Sequence, residues 1–378
     1  MYYYGKNSLN SVDKKKVNKV LNSGYISQGK SLTDLENKFS KYVGAKYCLA
    51  VSSGTAGLHL AIASLNLNIN SKAVTTPMTF VATANACLYS NIDFDLVDID
   101  SKTLNIDTDN LKKYFEIKSN KKKTKIIIPV HYGGSPCNMK EINKIAKDNK
   151  SYVIEDASQA MGAFYNKNKI GSCEYSDIAV FSMHPVKTIT SGEGGLITTN
   201  NKILYNKMKL MRSHGLKRSS KYPWLAEMIL FGYNYRITDL QTALANSQLD
   251  RISSFLKRRS QISKFYKNRL KGDITFQEIY PDSISANHLF IIIFNKVISE
   301  KKKINFYNAL LKKKIKFAVQ YLPVHKHKFY KKRFNLKFLN SEYLYKKSIN
   351  LPIYPDLTNN DLEYIVKIIN KMIIKFKL

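Results

Sequence analysis

The sequence predicts an α/β protein, with a large domain on a mostly parallel sheet followed by a smaller C-terminal α+β domain. Three observations predict it. Short apolar runs of strand length recur through the first two thirds of the chain. Helical periodicities lie between several of them. Beyond a long helical stretch at residues 238–271, the pattern thins to a few strands and helices. Apolar strands alternating with helices describe a sheet covered on both faces, which is the setting of parallel pairing.

The elements follow in order. Val12, Val17, Val20 and Leu21 stand at helical spacing behind Ser11, and Leu32, Leu35, Phe39 and Tyr42 behind Ser31. Gly44 is a natural helix stop there. Residues 47–51 read as a strand, and Ser53-Gly54-Thr55 opens a helix with Leu58, Ala61, Ile62 and Leu65 on one face. Further strands are predicted at 73–76, 94–97, 125–130, 152–154, 178–181 and 196–198. The 238–271 helix carries Leu240, Ala243, Leu244, Leu249, Ile252 and Leu256. After it, 287–294 and 315–319 read as strands, and 301–313 and 360–375 as helices. The expected division is a large domain over 1–245 and a small one over 246–378. Roughly the first 20 residues are expected to pack on the small domain or on a partner subunit.

Composition narrows the function. No run approaches the roughly 18 apolar residues that span a bilayer, and the N-terminus has no charged region leading into an apolar stretch. The four cysteines are scattered without a Cys-x-x-Cys pair, so neither a metal site nor a disulfide framework is expected and a reducing, cytoplasmic setting fits. The net charge of +33 raises the question of a nucleic-acid partner. The lysines are spread over the whole chain, however, and Lys, Asn, Ile and Tyr are abundant together, as in an AT-biased coding sequence. A solvated basic surface is the reading adopted, with no nucleic acid and no membrane as partner.

Three short segments carry chemistry. Ser182-Met183-His184-Pro185-Val186-Lys187 follows a strand and runs into Gly192-Glu193-Gly194-Gly195, placing a lysine just past a strand end, where α/β sheets bind ligands. Asp156 stands at another strand end, in Glu155-Asp156-Ala157-Ser158-Gln159. A carboxylate there can keep a cofactor's ring nitrogen protonated. Ser52-Ser53-Gly54-Thr55-Ala56 lies at a strand-to-helix turn, whose free amides and helix dipole suit a phosphate.

In this order, with Thr-Pro-Met-Thr-Phe-Val-Ala-Thr-Ala-Asn at 76–85, Arg-Ser-His-Gly at 212–215 and Gly-Tyr-Asn-Tyr-Arg at 232–236, these segments resemble the DegT/DnrJ/EryC1/StrS sugar aminotransferases. Those are fold-type I enzymes dependent on pyridoxal 5'-phosphate, and the resemblance runs from about Ser23 to the C-terminus. It implies that Lys187 bonds the cofactor and shuttles protons, that Asp156 pairs with the ring nitrogen, and that Gln159 meets the ring's phenolic oxygen. Phe80 is expected on the ring face, and Gly54, Thr55 and Ser182 on the phosphate. Asn234 and Arg236 are expected to reach a neighbour's site across a homodimer interface. A lysine rather than a histidine at 187 favours transamination over the dehydration run by one branch of the family.

Within the family, the segments at 184–190, 212–215, 287–290 and 319–325 resemble the UDP-4-amino-4,6-dideoxy-N-acetyl-β-L-altrosamine transaminases of pseudaminic acid biosynthesis. That implies transfer from glutamate to C4 of a UDP-linked 4-keto-6-deoxy-N-acetylhexosamine. Tyr4, Gly24, Tyr25, Ile26, Ser27, Ser182, His184, Arg236, Gln320, Tyr321 and Tyr330 are then the expected substrate contacts. Ser191 and Gln320-Tyr321 depart from the subfamily's usual spelling. These departures leave transamination intact and keep perosamine, bacillosamine and legionaminic acid precursors open as products.

Overall fold

The computed structural model describes residues 1–222, 224–334 and 336–378. Helices α1 (Ser11–Ser23) and α2 (Lys30–Val43) open the chain. Gly24 and Gly44 close them in the left-handed region at φ 73° and 83°, where a residue without Cβ meets no steric penalty.

Strands β1 (Tyr47–Val51), β2 (Lys72–Thr75), β3 (Asp93–Leu96), β4 (Thr124–Ile127) and β5 (Tyr152–Asp156) follow, then the two-residue strands β6 (Phe164–Tyr165) and β7 (Asn168–Lys169). With β8 (Ile178–Ser182) and β9 (Gly195–Thr199), five of these build a seven-stranded sheet in the order β1-β9-β8-β5-β4-β2-β3. The pairs β3/β2, β2/β4, β4/β5 and β5/β8 are parallel, and β9 runs antiparallel to both its neighbours.

Helices α3 (Gly54–Ser64), α4 (Val81–Tyr89), α5 (Thr108–Glu116), α6 (Lys118–Lys123), α7 (Met139–Asp148), α8 (Lys202–Met211), α9 (Asp239–Asp250) and α10 (Ile252–Arg269) come between and after the strands. One face of the sheet packs on α3, α4 and α8 through Leu58, Leu60, Ala84, Cys87 and Met208. The other packs on α2, α5, α7 and α9 through Leu35, Phe39, Leu111, Ile142 and Leu249. Strands buried on both faces carry apolar residues in succession instead of alternation, as Ile-Ala-Val-Phe in β8 does.

An exposed hairpin, β10 (Leu216–Arg218) with β11 (Ala226–Met228), leaves the large sheet's region. A second sheet then joins β12 (Ile274–Phe276), β14 (Phe290–Phe294) and β15 (Ser348–Leu351), all antiparallel, while β13 (Ser283–Ile284) pairs with β6. Helices α11 (Glu300–Lys312), α12 (Leu339–Lys347) and α13 (Asn359–Phe376) complete the chain. Phe290, Ile292, Phe306, Leu310, Ile365 and Ile369 form a core of their own, which α10 enters with Ile262 and Tyr266. The N-terminal segment joins it as well: Tyr2 bridges Ile315 in parallel fashion, and its hydroxyl donates to Asp361 at 2.8 Å.

Two sequence expectations are corrected. The single helix over 238–271 is two, broken at Arg251, whose φ −105° and ψ 3° are not helical. At this break the Arg251 guanidinium pairs with Asp13 at the start of α1. Residues 315–319 form no regular strand. They make isolated bridges at Ile315 to Tyr2 and at Ala318 to Asn350, each to a different element. Among the described residues no helix is long and apolar enough to cross a membrane.

The start of α3 lies hard against the large sheet because three glycines permit it. A Cβ on Gly57 would stand 2.7 Å from Val180 Cγ1, and one on Gly54 would stand 3.0 Å from Ser182 Cβ. On Gly195 it would meet the Ser53 carbonyl oxygen at 2.5 Å and the Gly54 amide at 2.9 Å, both backbone atoms that cannot swing aside. Gly195→Ala is therefore expected to lower stability by roughly 2 kcal/mol or more. A shift of the urea unfolding midpoint to lower concentration at unchanged slope checks this.

Candidate active site

A cavity of about 360 Å3 opens at the carboxyl ends of β5 and β8, lined among others by Ser53, Gly54, Thr55, Phe80, Asp156, Gln159, Ser182 and Lys187. That volume lies within the roughly 300–1,000 Å3 of small-molecule sites. Its walls come from separate parts of the chain: the β1–α3 turn, the start of α4, the ends of β5 and β8, the loop after β8, and the 320–321 segment.

Asp156 ends β5 and is only 5% exposed. Burying a carboxylate is costly unless its oxygens are hydrogen-bonded. Here Oδ2 accepts from the Thr83 hydroxyl at 2.7 Å and Oδ1 from the Ser158 amide at 3.1 Å. A carboxylate has about four acceptor positions, so capacity is left for a donor arriving from the cavity.

Lys187 stands on the loop after β8, its backbone N–H donating to the His184 carbonyl at 2.9 Å. Among the described residues no hydrogen bond or ion pair holds its Nζ. The side chain is half-buried, with its exposed part on the cavity wall. Loss of solvent around the amine pulls its pKa down to about 8, against the opposing attraction of the Asp156 carboxylate. With a pKa near 8, about a tenth of such an amine is neutral at pH 7, far more than of an ordinary lysine, and the neutral form is the one that acts as nucleophile or base.

The phosphate end is built by the close packing of α3. Ser53 caps the helix, its Oγ accepting from the Ala56 amide at 3.0 Å. The Gly54 and Thr55 amides have no partner among the described residues. Ser182 adjoins Gly54, and its Oγ accepts from the His184 amide at 3.3 Å, which leaves the hydroxyl hydrogen to donate. Two free amides, two hydroxyls (Thr55 and Ser182) and the helix dipole suit a phosphate dianion. Phe80, the N-cap residue of α4, is 57% exposed and lines the cavity, with Tyr321 tilted against it at a 5.7 Å centroid separation. Phosphate donors, an aromatic wall, a buried carboxylate and a free amine around one cavity fit pyridoxal phosphate.

The other predicted residues divide. Tyr4, His184, Gln320 and Tyr321 share this cavity. Gln159 does too, but both ends of its amide are engaged: Oε1 accepts from the Gly133 amide at 2.7 Å and Nε2 donates to the Tyr321 hydroxyl at 2.7 Å. One amide hydrogen remains for a ligand. Tyr330 lies outside the cavity. It is 3% exposed, packed edge-on against Phe94, with its hydroxyl on Asn85. Gly24, Tyr25, Ile26 and Ser27 are exposed at the end of α1, where Tyr25 lines a different hollow between α1, α2 and α9. Asn234 is exposed and Arg236 donates to Ser213 Oγ at 3.2 Å, neither lining this protomer's cavity.

Sequence reasoning missed Thr79 and Thr83, which stand behind Asp156, and Glu193, which lies 4.0 Å from His184 on the cavity wall. Thr79 and Thr83 are four apart across a helix start, a spacing that puts two hydroxyls on one side.

The model of the DegT/DnrJ/EryC1/StrS aminotransferase family matches residues 7–370. The chain belongs to that family. It is a pyridoxal-phosphate-dependent sugar aminotransferase. The chain is 38% identical over 93% of its length to the uncharacterized protein MJ1066 of Methanocaldococcus jannaschii, covering 92% of it. It is 33% identical to the UDP-4-amino-4,6-dideoxy-N-acetyl-β-L-altrosamine transaminase of Campylobacter jejuni, with 97% of this chain and 96% of that one covered. Among solved structures, Helicobacter pylori PseC, an aminotransferase involved in the biosynthesis of pseudoaminic acid, superposes with a TM-score of 0.91 at 29% identity over 99% of both chains.

Lys187→Ala is expected to lower turnover about a thousandfold or more, in keeping with loss of a positioned acid–base group. It should also remove the visible absorption that the wild-type protein develops with pyridoxal phosphate. Because the free amine titrates near 8, the rate at which the apoprotein captures the cofactor should rise with pH up to about that value and then level. Stopped-flow absorbance across a pH series checks it.

Proposed function

We propose that this aminotransferase moves the amino group of glutamate to C4 of a UDP-linked 4-keto-6-deoxy-N-acetylhexosamine, on the way to pseudaminic acid. One observation carries the reaction: the unpaired amine of Lys187 and the buried carboxylate of Asp156 line the same cavity, with the Phe80 ring on its wall. The sugar rests on likeness to the Campylobacter enzyme and on the cavity wall shared by Tyr4, Gln320 and Tyr321.

Bound pyridoxal phosphate supplies an electron sink for the charge left when a proton departs from the carbon bearing nitrogen. The residues of the chain do the rest. Lys187 Nζ would take the Cα proton of glutamate and deliver a proton to the far side of the nitrogen, two atoms along; with the keto-sugar it would work in the opposite direction. Asp156 holds negative charge at the ring nitrogen. Phe80 fixes the plane of the ring, and Gly54, Thr55 and Ser182 fix its phosphate. Tyr132 and Tyr321 pack edge-on at a 6.4 Å centroid separation, which backs Tyr321 on the cavity wall.

The same reading makes the protein a homodimer whose Asn234 and Arg236 serve the neighbour's site. The exposed apolar surface supports it. Trp224 is 83% exposed, and Met228 and Phe231 are similarly bare on and beside the β10–β11 hairpin. A two-stranded hairpin carrying that much apolar surface is marginal unless something packs on it. The four cysteines are buried and unbonded, as a cytoplasmic setting would leave them.

Two measurements test these statements. Purified protein with pyridoxal phosphate, glutamate and a panel of UDP- and GDP-linked 4-keto-6-deoxy sugars should aminate the UDP-linked N-acetyl sugar and release 2-oxoglutarate. Amination of a GDP sugar alone would move the protein to another product while keeping the reaction. Mixing inactive Lys187→Ala subunits with inactive Asn234→Ala subunits should restore activity through hybrid dimers holding one intact site. No recovery on mixing, with subunit exchange verified, would refute shared sites.

A further inference from the structure

Asp156 Oδ2 accepts from Thr83 Oγ1 at 2.7 Å, and Thr83 Oγ1 in turn lies 2.7 Å from Thr79 Oγ1. Both threonines are essentially without solvent contact. The direction of the chain is fixed by what its end can do. An ionised carboxylate only accepts, so the single hydroxyl hydrogen of Thr83 points at Asp156. Thr83 therefore accepts from Thr79, whose own hydrogen is committed in the same way.

We propose that Thr83, backed by Thr79, is a positioning residue that holds the Asp156 carboxylate as an oriented acceptor for a protonated ring nitrogen. Charge-assisted hydrogen bonds are about twice as strong as neutral ones, and members of a chain polarise one another. With the Ser158 amide on the other oxygen, the carboxylate is held at two points and cannot rotate about its Cβ–Cγ bond without losing one. Thr83 is placed for this by the first turn of α4, where its amide donates to the Phe80 carbonyl at 3.2 Å. That same turn presents the Phe80 ring to the cavity. One helix start thus sets the ring-face wall and the partner of the ring-edge carboxylate together. A threonine within a helix ordinarily turns its hydroxyl back to a carbonyl of its own helix. This one reaches across to another element.

The inference rests on the reading that Asp156 faces the cofactor's ring nitrogen, and the experiment separates the two. The dissociation constant of pyridoxal phosphate is measured by absorbance titration of the apoprotein for wild type, Asp156→Asn, Thr83→Val, Thr83→Ser and Thr79→Val. Thermal melting of each apoprotein reports folding. Asp156→Asn should weaken cofactor binding most. Thr83→Val, which keeps shape and deletes the hydroxyl, should raise the dissociation constant about tenfold, the size expected for one hydrogen bond to a charged group. Thr83→Ser should restore binding to near the wild-type value, and Thr79→Val should weaken it in the same direction by less. Should Thr83→Val not fold, the Thr83→Ser and Thr79→Val values decide alone. Wild-type affinity in both valine variants, or a serine variant as weak as the valine one, would overturn the role of the hydroxyls. Wild-type affinity in Asp156→Asn would instead sink the reading of Asp156 itself.

Discussion

Asp156 ends a strand that is covered on both sides, and a carboxylate in that position raises the free energy of the fold unless donors reach it. Much of the site can be traced to how that requirement is met. One donor comes from the loop that continues β5, the Ser158 amide. The other comes from α4, through Thr83. Satisfying Asp156 therefore brings the start of α4 to the end of β5, and Phe80 arrives at the cavity with it.

The opposite end of the cavity is set by closeness instead of charge. Gly54, Gly57 and Gly195 let the first turn of α3 press onto β8 and β9. Sheet register then fixes its distance from Asp156. Asp156 pairs with Val180, Ser182 lies two residues further along the same strand, and Ser182 pairs with Gly195. Ser182 and Asp156 thus stand on neighbouring strands at a spacing that side-chain motion cannot change. This is the preorganisation that a site needs if it is to favour a transition state without first reorganising.

Charge at large plays little part. The chain carries +33, yet one lysine, Lys187, lines the cavity together with the carboxylates of Asp156 and Glu193. Lys187 differs from the many other lysines by environment. Most of those are solvated, whereas desolvation brings Lys187 down to about 8. Of the other lysines, Lys303 is similarly lowered, but its Nζ donates to the Tyr345 carbonyl at 2.7 Å and serves packing.

Much of this was legible in the sequence. Strand-length apolar runs gave the seven strands of the large sheet to within a few residues, because a doubly covered strand must be apolar throughout. The order of Gly54-Thr55, Asp156 and Lys187 put the chemistry at strand ends, because crossover connections return every parallel strand to the same edge. Local sequence could not show that the helix would break at Arg251, whose guanidinium meets Asp13, nor that Tyr330 would turn into the core beside Phe94. Nor could it show that Thr83, one of several hydroxyls near a helix start, is the one that meets Asp156, 73 residues away. The sequence by itself determined which residue types stand at the ends of which strands, since periodicity and turn chemistry act over a few neighbours. Which of those residues share a cavity, and which second residue holds each one still, was decided by tertiary packing alone, since it depends on helices meeting a sheet across long stretches of chain.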